Sequence, residues 1–121
     1  MTDLLITLTQ KEDNANNVTV AFTMGNMALS MGHSVSLILL SNAVHLAERG
    51  YGEKIDIGEP FRPVGELIPE FMTNGGKVMV CKACMKHNGV SEENLMDDVE
   101  IITAEDVISI IMDSKKSLQL N

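Results

Sequence analysis

The sequence is poor in aromatic and basic residues. It contains no Trp, one Tyr and three Phe, so its core must be mostly aliphatic. Nine Lys and Arg stand against seventeen Asp and Glu, which gives a formal net charge of −8. Nucleic acids and anionic membranes are bound by neutralising their phosphates with basic side chains. Neither is therefore expected as a partner.

Long hydrophobic runs are also missing. The most apolar stretch, residues 18–40, is interrupted by Thr, Asn, Ser, Gly and His and stays short of the roughly 18 continuous apolar residues that span a bilayer. The first residues, Met-Thr-Asp, have neither the basic segment nor the cleavage site of a secretory signal. We therefore expect a cytoplasmic protein without a membrane segment.

The order of apolar segments predicts the fold class. A chain of 121 residues with 45% hydrophobic and 21% charged residues fits one globular domain, residues 1–121. Strands are predicted at residues 4–8, 34–40, 77–80, 99–102 and 117–120. Helices are predicted at residues 15–31, 42–49, 63–74, 81–88 and from Thr103 onward, with a Gly- and Pro-rich loop at residues 50–63. This alternation predicts a three-layer α/β fold with a mainly parallel sheet of about five strands and helices on both faces.

The first predicted helix carries no charge. No Asp, Glu, Lys or Arg occurs between residues 14 and 47, which is unusual for a helix with one face in water. Helical spacing gives two apolar stripes: Val18, Ala21, Phe22, Gly25, Ala28 and Leu29, and opposite them Val20, Met24, Met27 and Met31. One stripe can pack on the sheet. The second predicts a homo-oligomer that assembles through helix 15–31, the alternative being a helix that is covered within its own subunit.

Two cysteines carry the candidate chemistry. Cys81 follows a predicted strand and opens a predicted helix, and Cys84 comes one turn later. A thiolate at such a junction is stabilised by the helix N-terminus and by nearby cations. Residues 71–91 contain no acid but hold Lys77, Lys82 and Lys86. We therefore predict Cys81 and Cys84 as the catalytic residues, the alternative being a pair of structural thiols.

Other site types fit these residues less well. Cys81, Cys84 and His87 form C-x2-C-x2-H, but a structural zinc site usually has four ligands, so we expect no metal. Met85 occupies the position that c-type haem attachment gives to His. The Trp and Pro common around thioredoxin-like C-x-x-C motifs are missing, and no nucleotide-binding glycine motif occurs, so we expect no cofactor.

The ends of the other predicted strands supply candidate pocket residues. Sites in open α/β sheets form beyond the carboxyl ends of the strands. The residues expected to line the pocket or to stabilise the thiolate are Lys82, His87, Asn14, Asn17, Ser41, His45 and Thr103.

Residues 77–89, KVMVCKACMKHNG, resemble the DsrE/DsrF-like family and its YchN-like branch, in which a strand ends in Cys and a Gly follows eight residues later. Cys81 and Gly89 have this spacing, and the likeness extends over nearly the whole chain. The resemblance implies a small α/β subunit that assembles into trimers or hexamers, with Cys81 at the position that carries sulfur as a persulfide in sulfur-relay members. Cys84 departs from the single-cysteine carriers but matches the C-x-x-C of the YchN-like branch.

The leading hypothesis is therefore a sulfurtransferase-like persulfide carrier. Cys81 accepts sulfane sulfur, Lys82 and the helix N-terminus stabilise the anion, and Cys84 assists or resolves the persulfide. A protein sulfur donor and a protein acceptor are the expected partners. Two alternatives stay open: a dithiol/disulfide redox protein, and a non-catalytic oligomeric binding subunit.

Overall fold

Strands and helices alternate along the chain. The computed structural model describes residues 2–121. The strands are β1 Leu4–Leu8, β2 Val35–Leu39, β3 Lys77–Cys81, β4 Glu100–Ile102 and β5 Lys116–Leu120. The α-helices are α1 Ala15–Ser30, α2 Val64–Thr73, α3 Lys82–Asn88 and α4 Ala104–Asp113. Short 3-10 helices span Glu12–Asn14, Ser41–Ala47, Tyr51–Lys54 and Glu92–Asn94.

The five strands form one sheet in the order β4-β3-β2-β1-β5, and every pairing is parallel. All five residues of β2 are buried, which explains why this strand reads as an almost continuous apolar run. The predicted parallel sheet of about five strands is confirmed, including the terminal strand β5. Because all strands run the same way, their carboxyl ends share one edge of the sheet.

Helices cover both faces of the sheet, as predicted. The larger core lies under α1 and α2, where Phe22 and Phe71 meet edge to face with ring centroids 5.9 Å apart. The smaller core lies under α4, whose Val107 packs with apolar side chains of the opposite face. Those side chains are Leu5, Ile38, Met79 and Ile102.

Helix α1 has the two stripes expected from its sequence. Most of the first stripe is buried, and Leu29 is half-buried. In the second stripe the side chains of Met24, Met27 and Met31 are 47%, 56% and 66% exposed. The chain by itself therefore leaves a row of methionines facing outward.

The short helix predicted at residues 42–49 is a 3-10 helix over Ser41–Ala47, and the predicted loop 50–63 contains a 3-10 turn at Tyr51–Lys54. Glu48 adopts an extended conformation and bridges to Leu95, which ends the first segment. Such short pieces commonly take the tighter 3-10 form.

Within residues 2–121, no helix combines the length and the apolar character needed to cross a bilayer.

The contact of Gly76 with Phe71 gives a test of the larger core. A Cβ atom at Gly76 would lie 2.5 Å from the fully buried Phe71 ring, which has no free space to move into. We expect Gly76→Ala to lower the free energy of unfolding by about 1–3 kcal/mol through overpacking, measured by urea denaturation. Thr73→Ala, at an exposed position nearby, should change it by less than about 0.5 kcal/mol. Equal stability of the two variants would contradict this packing.

Candidate functional site

The two thiols lie where β3 passes into α3. Cys81 is the last residue of β3 and caps α3, and Cys84 follows within the first turn of that helix. The helix stops after two turns because Gly89 takes a left-handed conformation with φ 71°. Cys81 is only 6% exposed, whereas Cys84 is half-buried, and both are free thiols. The sequence therefore predicted the position of the pair correctly, but Cys81 is the more deeply buried member.

The two thiols lie close enough for Cys81 to affect the ionisation of Cys84. Burial is the largest cause that raises the pKa of the Cys84 thiol above its ordinary value. The hydrogen bond with Cys81 and negative charge on Cys81 raise this pKa further, while a hydrogen bond from the backbone N–H of Ser41 partly opposes them. Together these influences favour the protonated form of Cys84.

The turn at Ser41 faces the thiols because β2 pairs with β3 in parallel. Leu39 of β2 is opposite Val80 of β3, so the residues that follow each strand emerge side by side. Ser41 has φ 54°, a left-handed conformation that is uncommon for a residue other than glycine. Strained backbone of this kind is concentrated at functional sites. Here it directs the Ser41 N–H at Cys84.

Asn88 ties this turn to α3. Its side-chain Nδ2 donates to the carbonyl oxygen of Cys84 at 2.8 Å and to that of Ser41 at 3.3 Å. One amide group therefore holds the Ser41 turn and the Cys84 turn of the helix together. This contact fixes the distance between the Ser41 N–H and the Cys84 sulfur.

A cavity of about 360 Å³ opens between these two segments, and we call it the thiol pocket. It is lined by Ser41, Asn42, Ala83, Cys84, His87 and Asn88. Cys81, which is buried, is not part of the pocket lining. The structure thus brings together three of the residues predicted from sequence, Ser41, Cys84 and His87.

Three predicted residues serve other contacts and do not line the thiol pocket. Asn14 caps α1 by accepting from the N–H of Asn17, whose own side chain donates to Gln10. Thr103 caps α4 in a reciprocal capping box with Asp106. Asn14 and Thr103 are thus helix caps, a role that Asn and Thr side chains fill as readily as a site.

His45 and Lys82 were also expected at the pocket and are not part of its wall. The Nδ1 of His45 pairs with Glu48 at 2.9 Å, and its ring stacks on Tyr51. The tight 3-10 geometry of Ser41–Ala47 places His45 in this loop cluster instead of beside the thiols. Lys82 is exposed on α3, next to Cys81 in sequence but outside the pocket lining.

Sequence reasoning missed Ala83 and Asn88, which also line the pocket. Asn88 follows Cys84 by four residues, so its place on the same side of α3 could be predicted from helical spacing. Its contact with Ser41 could not be predicted, because that contact joins residues 47 positions apart.

The Cys and His residues of the C-x2-C-x2-H pattern are possible metal ligands. Among residues 2–121, no three His, Cys, Asp or Glu side chains come close enough together to hold a metal ion. Another cavity, of about 260 Å³, lies between α1 and α2 and contains Thr23, Asn26, Arg62 and Glu70. No Cys or His lines it.

Comparison with known proteins gives the same fold. The model of the DsrE/DsrF-like family matches residues 3–120. The chain is similar in structure to the YchN protein of E. coli, with a TM-score of 0.73 and 23% identity over 98% of this chain and 99% of that one. It is also similar to MTH1491, a protein of unknown function from Methanobacterium thermoautotrophicum, with a TM-score of 0.71 and 9% identity over 96% of each chain.

Similar sequences occur in methanogens. The uncharacterized protein MJ0760 of Methanocaldococcus jannaschii is 28% identical over 84% of this chain, which spans only 37% of that protein's length. The uncharacterized protein MK0008 of Methanopyrus kandleri is 28% identical over 72% of this chain and 68% of its own length. These relatives extend the likeness of sequence without adding an activity.

The raised pKa of Cys84 gives a test of the thiol geometry. Trypsin separates the thiols, because Lys82 lies between them, so iodoacetamide labelling of each is read from its own peptide. We expect the rate at Cys84 to keep rising with pH beyond about 8.5, the ordinary value for a thiol. The same residue in urea-unfolded protein should titrate near that value. A folded Cys84 that reaches its maximal rate at or below it would contradict the burial and the contact with Cys81.

Proposed function

The chain belongs to the DsrE/DsrF-like family, and we propose that it is a cytoplasmic sulfur-handling protein that carries sulfane sulfur as a persulfide on Cys81. The family is associated with sulfur relay in general. The observation that supports this function most is the hydrogen-bonded thiol pair at the end of β3, beside a small pocket. Cys84 assists as a hydrogen-bond donor to the Cys81 sulfur.

The transfer takes place by thiolate exchange. The Cys81 thiolate attacks the outer sulfur of a donor persulfide R–S–S⁻, the donor S–S bond breaks, and R–S⁻ leaves. The outer sulfur is now bound to Cys81 as Cys81–S–S⁻. An acceptor thiolate attacks this outer sulfur in turn and releases the Cys81 thiolate. No net oxidation occurs in either step.

Cys84 offers a second route for the persulfide. A Cys84 thiolate that attacks the inner sulfur releases HS⁻ and leaves a Cys81–Cys84 disulfide, which a dithiol reductant must then reduce. The raised pKa of Cys84 keeps it mostly protonated near neutral pH, so this route is slow there. The persulfide therefore has time to meet an acceptor, and sulfide release accelerates as the pH rises.

Intact-mass spectrometry tests the carrier function. Reduced protein exposed to a sulfane-sulfur donor should gain the mass of one sulfur atom, and Cys81→Ser should abolish the gain. In Cys84→Ser the adduct should last longer, and its decay should no longer accelerate with pH. A gain of sulfur that persists in Cys81→Ser would reject Cys81 as the carrier.

The direct contact of the two thiols also favours a second candidate, a dithiol/disulfide redox protein. In that case the wild type exposed to the same donor shows only the loss of two hydrogens. A protein that shows no change of mass is instead a non-catalytic binding subunit, in which Cys81→Ser leaves partner binding intact.

We also propose that the chain self-associates, as trimers or hexamers, through α1. The support is the exposed row of Met24, Met27 and Met31 on a helix without any charged residue. Large exposed apolar surfaces on isolated subunits usually mark association.

Sedimentation velocity tests this assembly. We expect the wild type to sediment as an oligomer and Met27→Lys to dissociate it, since the substitution places a charge in the centre of the row. Met112→Lys is the matched control, because Met112 is 79% exposed but lies on α4. A monomeric wild type, or equal effects of the two substitutions, would contradict assembly through α1.

A further inference from the structure

The thiol pocket is built from the two acid-free stretches of an otherwise acidic chain. One wall comes from residues 14–47, where no Asp, Glu, Lys or Arg occurs, and the other from residues 71–91, where no acid occurs. These stretches are separate in sequence and meet because β2 and β3 are neighbours. The six residues that line the pocket accordingly include no carboxylate, although the chain has a formal charge of −8.

Unpaired positive charge lies on the same helix as the thiols. Lys82 and Lys86 are exposed on α3 and form no ion pair among the described residues, and His87 lines the pocket. Four of the other basic side chains are bound to carboxylates. These are Arg49, Lys54, Arg62 and Lys115. The charges of Lys82 and Lys86 therefore remain available to an incoming anion.

Acids flank the acid-free stretch on both sides in sequence. Glu70 precedes it and is bound to Arg62 at 2.8 Å, and the exposed Glu92 and Glu93 follow it in a separate 3-10 helix. Glu105 and Asp106 open α4, which packs on the opposite face of the sheet, and the Asp106 carboxylate accepts from the N–H of Thr103. Helix α3 itself thus carries two lysines without an ion pair among the described residues and no acid. Unpaired positive charge concentrates anions at a site and speeds their association.

We propose that the thiol pocket selects small anionic sulfane-sulfur donors, such as persulfides of carboxylate-bearing thiols, over neutral and cationic ones. The identity of the transferred atom, sulfur, rests on the proposed function. The preference for negative charge does not. A volume of about 360 Å³ is at the lower end for small-molecule sites, which favours a small donor. The Asn42 side chain, which has no hydrogen bond among the described residues, is free to donate to the anion.

A pair of alkylating agents tests the charge preference without any sulfur transfer. Iodoacetate and iodoacetamide have nearly the same shape and differ by one negative charge. The rate of iodoacetate at Cys84 is divided by that of iodoacetamide, and this ratio is normalised by the same ratio in urea-unfolded protein. The normalised ratio should be about three to ten at low salt. It should approach one near 1 M salt, where the Debye length is about 3 Å. Fragmentation spectra assign the labelled thiol in every variant.

Matched charge removals locate the source of the preference. Lys82→Gln with Lys86→Gln should bring the normalised ratio close to one. Lys77→Gln with Lys116→Gln removes the same charge from two exposed lysines at the amino ends of β3 and β5, away from the thiols, and should leave the ratio nearly unchanged. A normalised ratio of one in the wild type, or equal losses in the two double variants, would overturn the inference.

The sulfur donors are then compared directly. The persulfide of 3-mercaptopropionate ends in a carboxylate, and that of 2-mercaptoethanol ends in a hydroxyl. The first should transfer sulfur to the wild type faster than the second. This difference in rate should disappear in the variant with Lys82→Gln and Lys86→Gln. Equal loading of both donors would overturn the inference. If neither donor loads while the alkylation ratio still exceeds one, the carrier function fails and the anion preference stands.

Discussion

The parallel pairing of β2 with β3 is the constraint on which the thiol site depends. In a parallel pair the carboxyl ends of both strands reach the same edge, so the residue after β2 and the residue that ends β3 are neighbours in space. This is why Ser41, which is 40 positions before Cys81, stands within hydrogen-bond reach of Cys84. An antiparallel arrangement would send one of the two segments to the far edge of the sheet and leave the thiols without the Ser41 N–H.

The site also shows how one side chain can join two local structures. Asn88 has no charge and performs no chemistry, yet its amide bridges the carbonyl groups of Ser41 and Cys84. The left-handed conformation of Ser41 costs free energy that the surrounding contacts must offset. The bridge provides part of that offset, and it holds the Ser41 turn beside the first turn of α3, where Cys84 lies. The burial that raises the pKa of Cys84 thereby separates the roles of two otherwise similar thiols.

The acidic residues are unevenly distributed along the chain. All seventeen acids lie outside residues 14–47 and 71–91, and several of them pair with basic side chains of the surface. The two stretches without acids provide the central strands, the uncharged helix α1 and both walls of the thiol pocket. One compositional feature therefore accounts for two surfaces of different kinds, an apolar one along α1 and one with lysines and no acid along α3.

Much of the fold was determined by local sequence. The alternation of apolar runs with helical periodicity predicts the five strands and the main helices, and Cys81 at a strand end predicts a thiol at the edge where parallel sheets carry their sites. Local sequence also predicts the outward row of methionines, because helical spacing alone separates the two stripes of α1. These features depend on residues close together in the chain.

Only the tertiary structure decided which strand-end residues join the thiols. Asn14, Asn17 and Thr103 have the residue types and positions expected of a site, but Asn14 and Thr103 cap helices, the Asn17 side chain donates to Gln10, and His45 stacks on Tyr51. Asn42 and Asn88 meet in the pocket because the segment after β2 lies beside α3, which no short sequence pattern predicts. The physical reason is that a cap is satisfied within one helical turn, whereas a pocket needs the relative placement of β2, β3 and α3, and that placement is set by packing of the whole sheet.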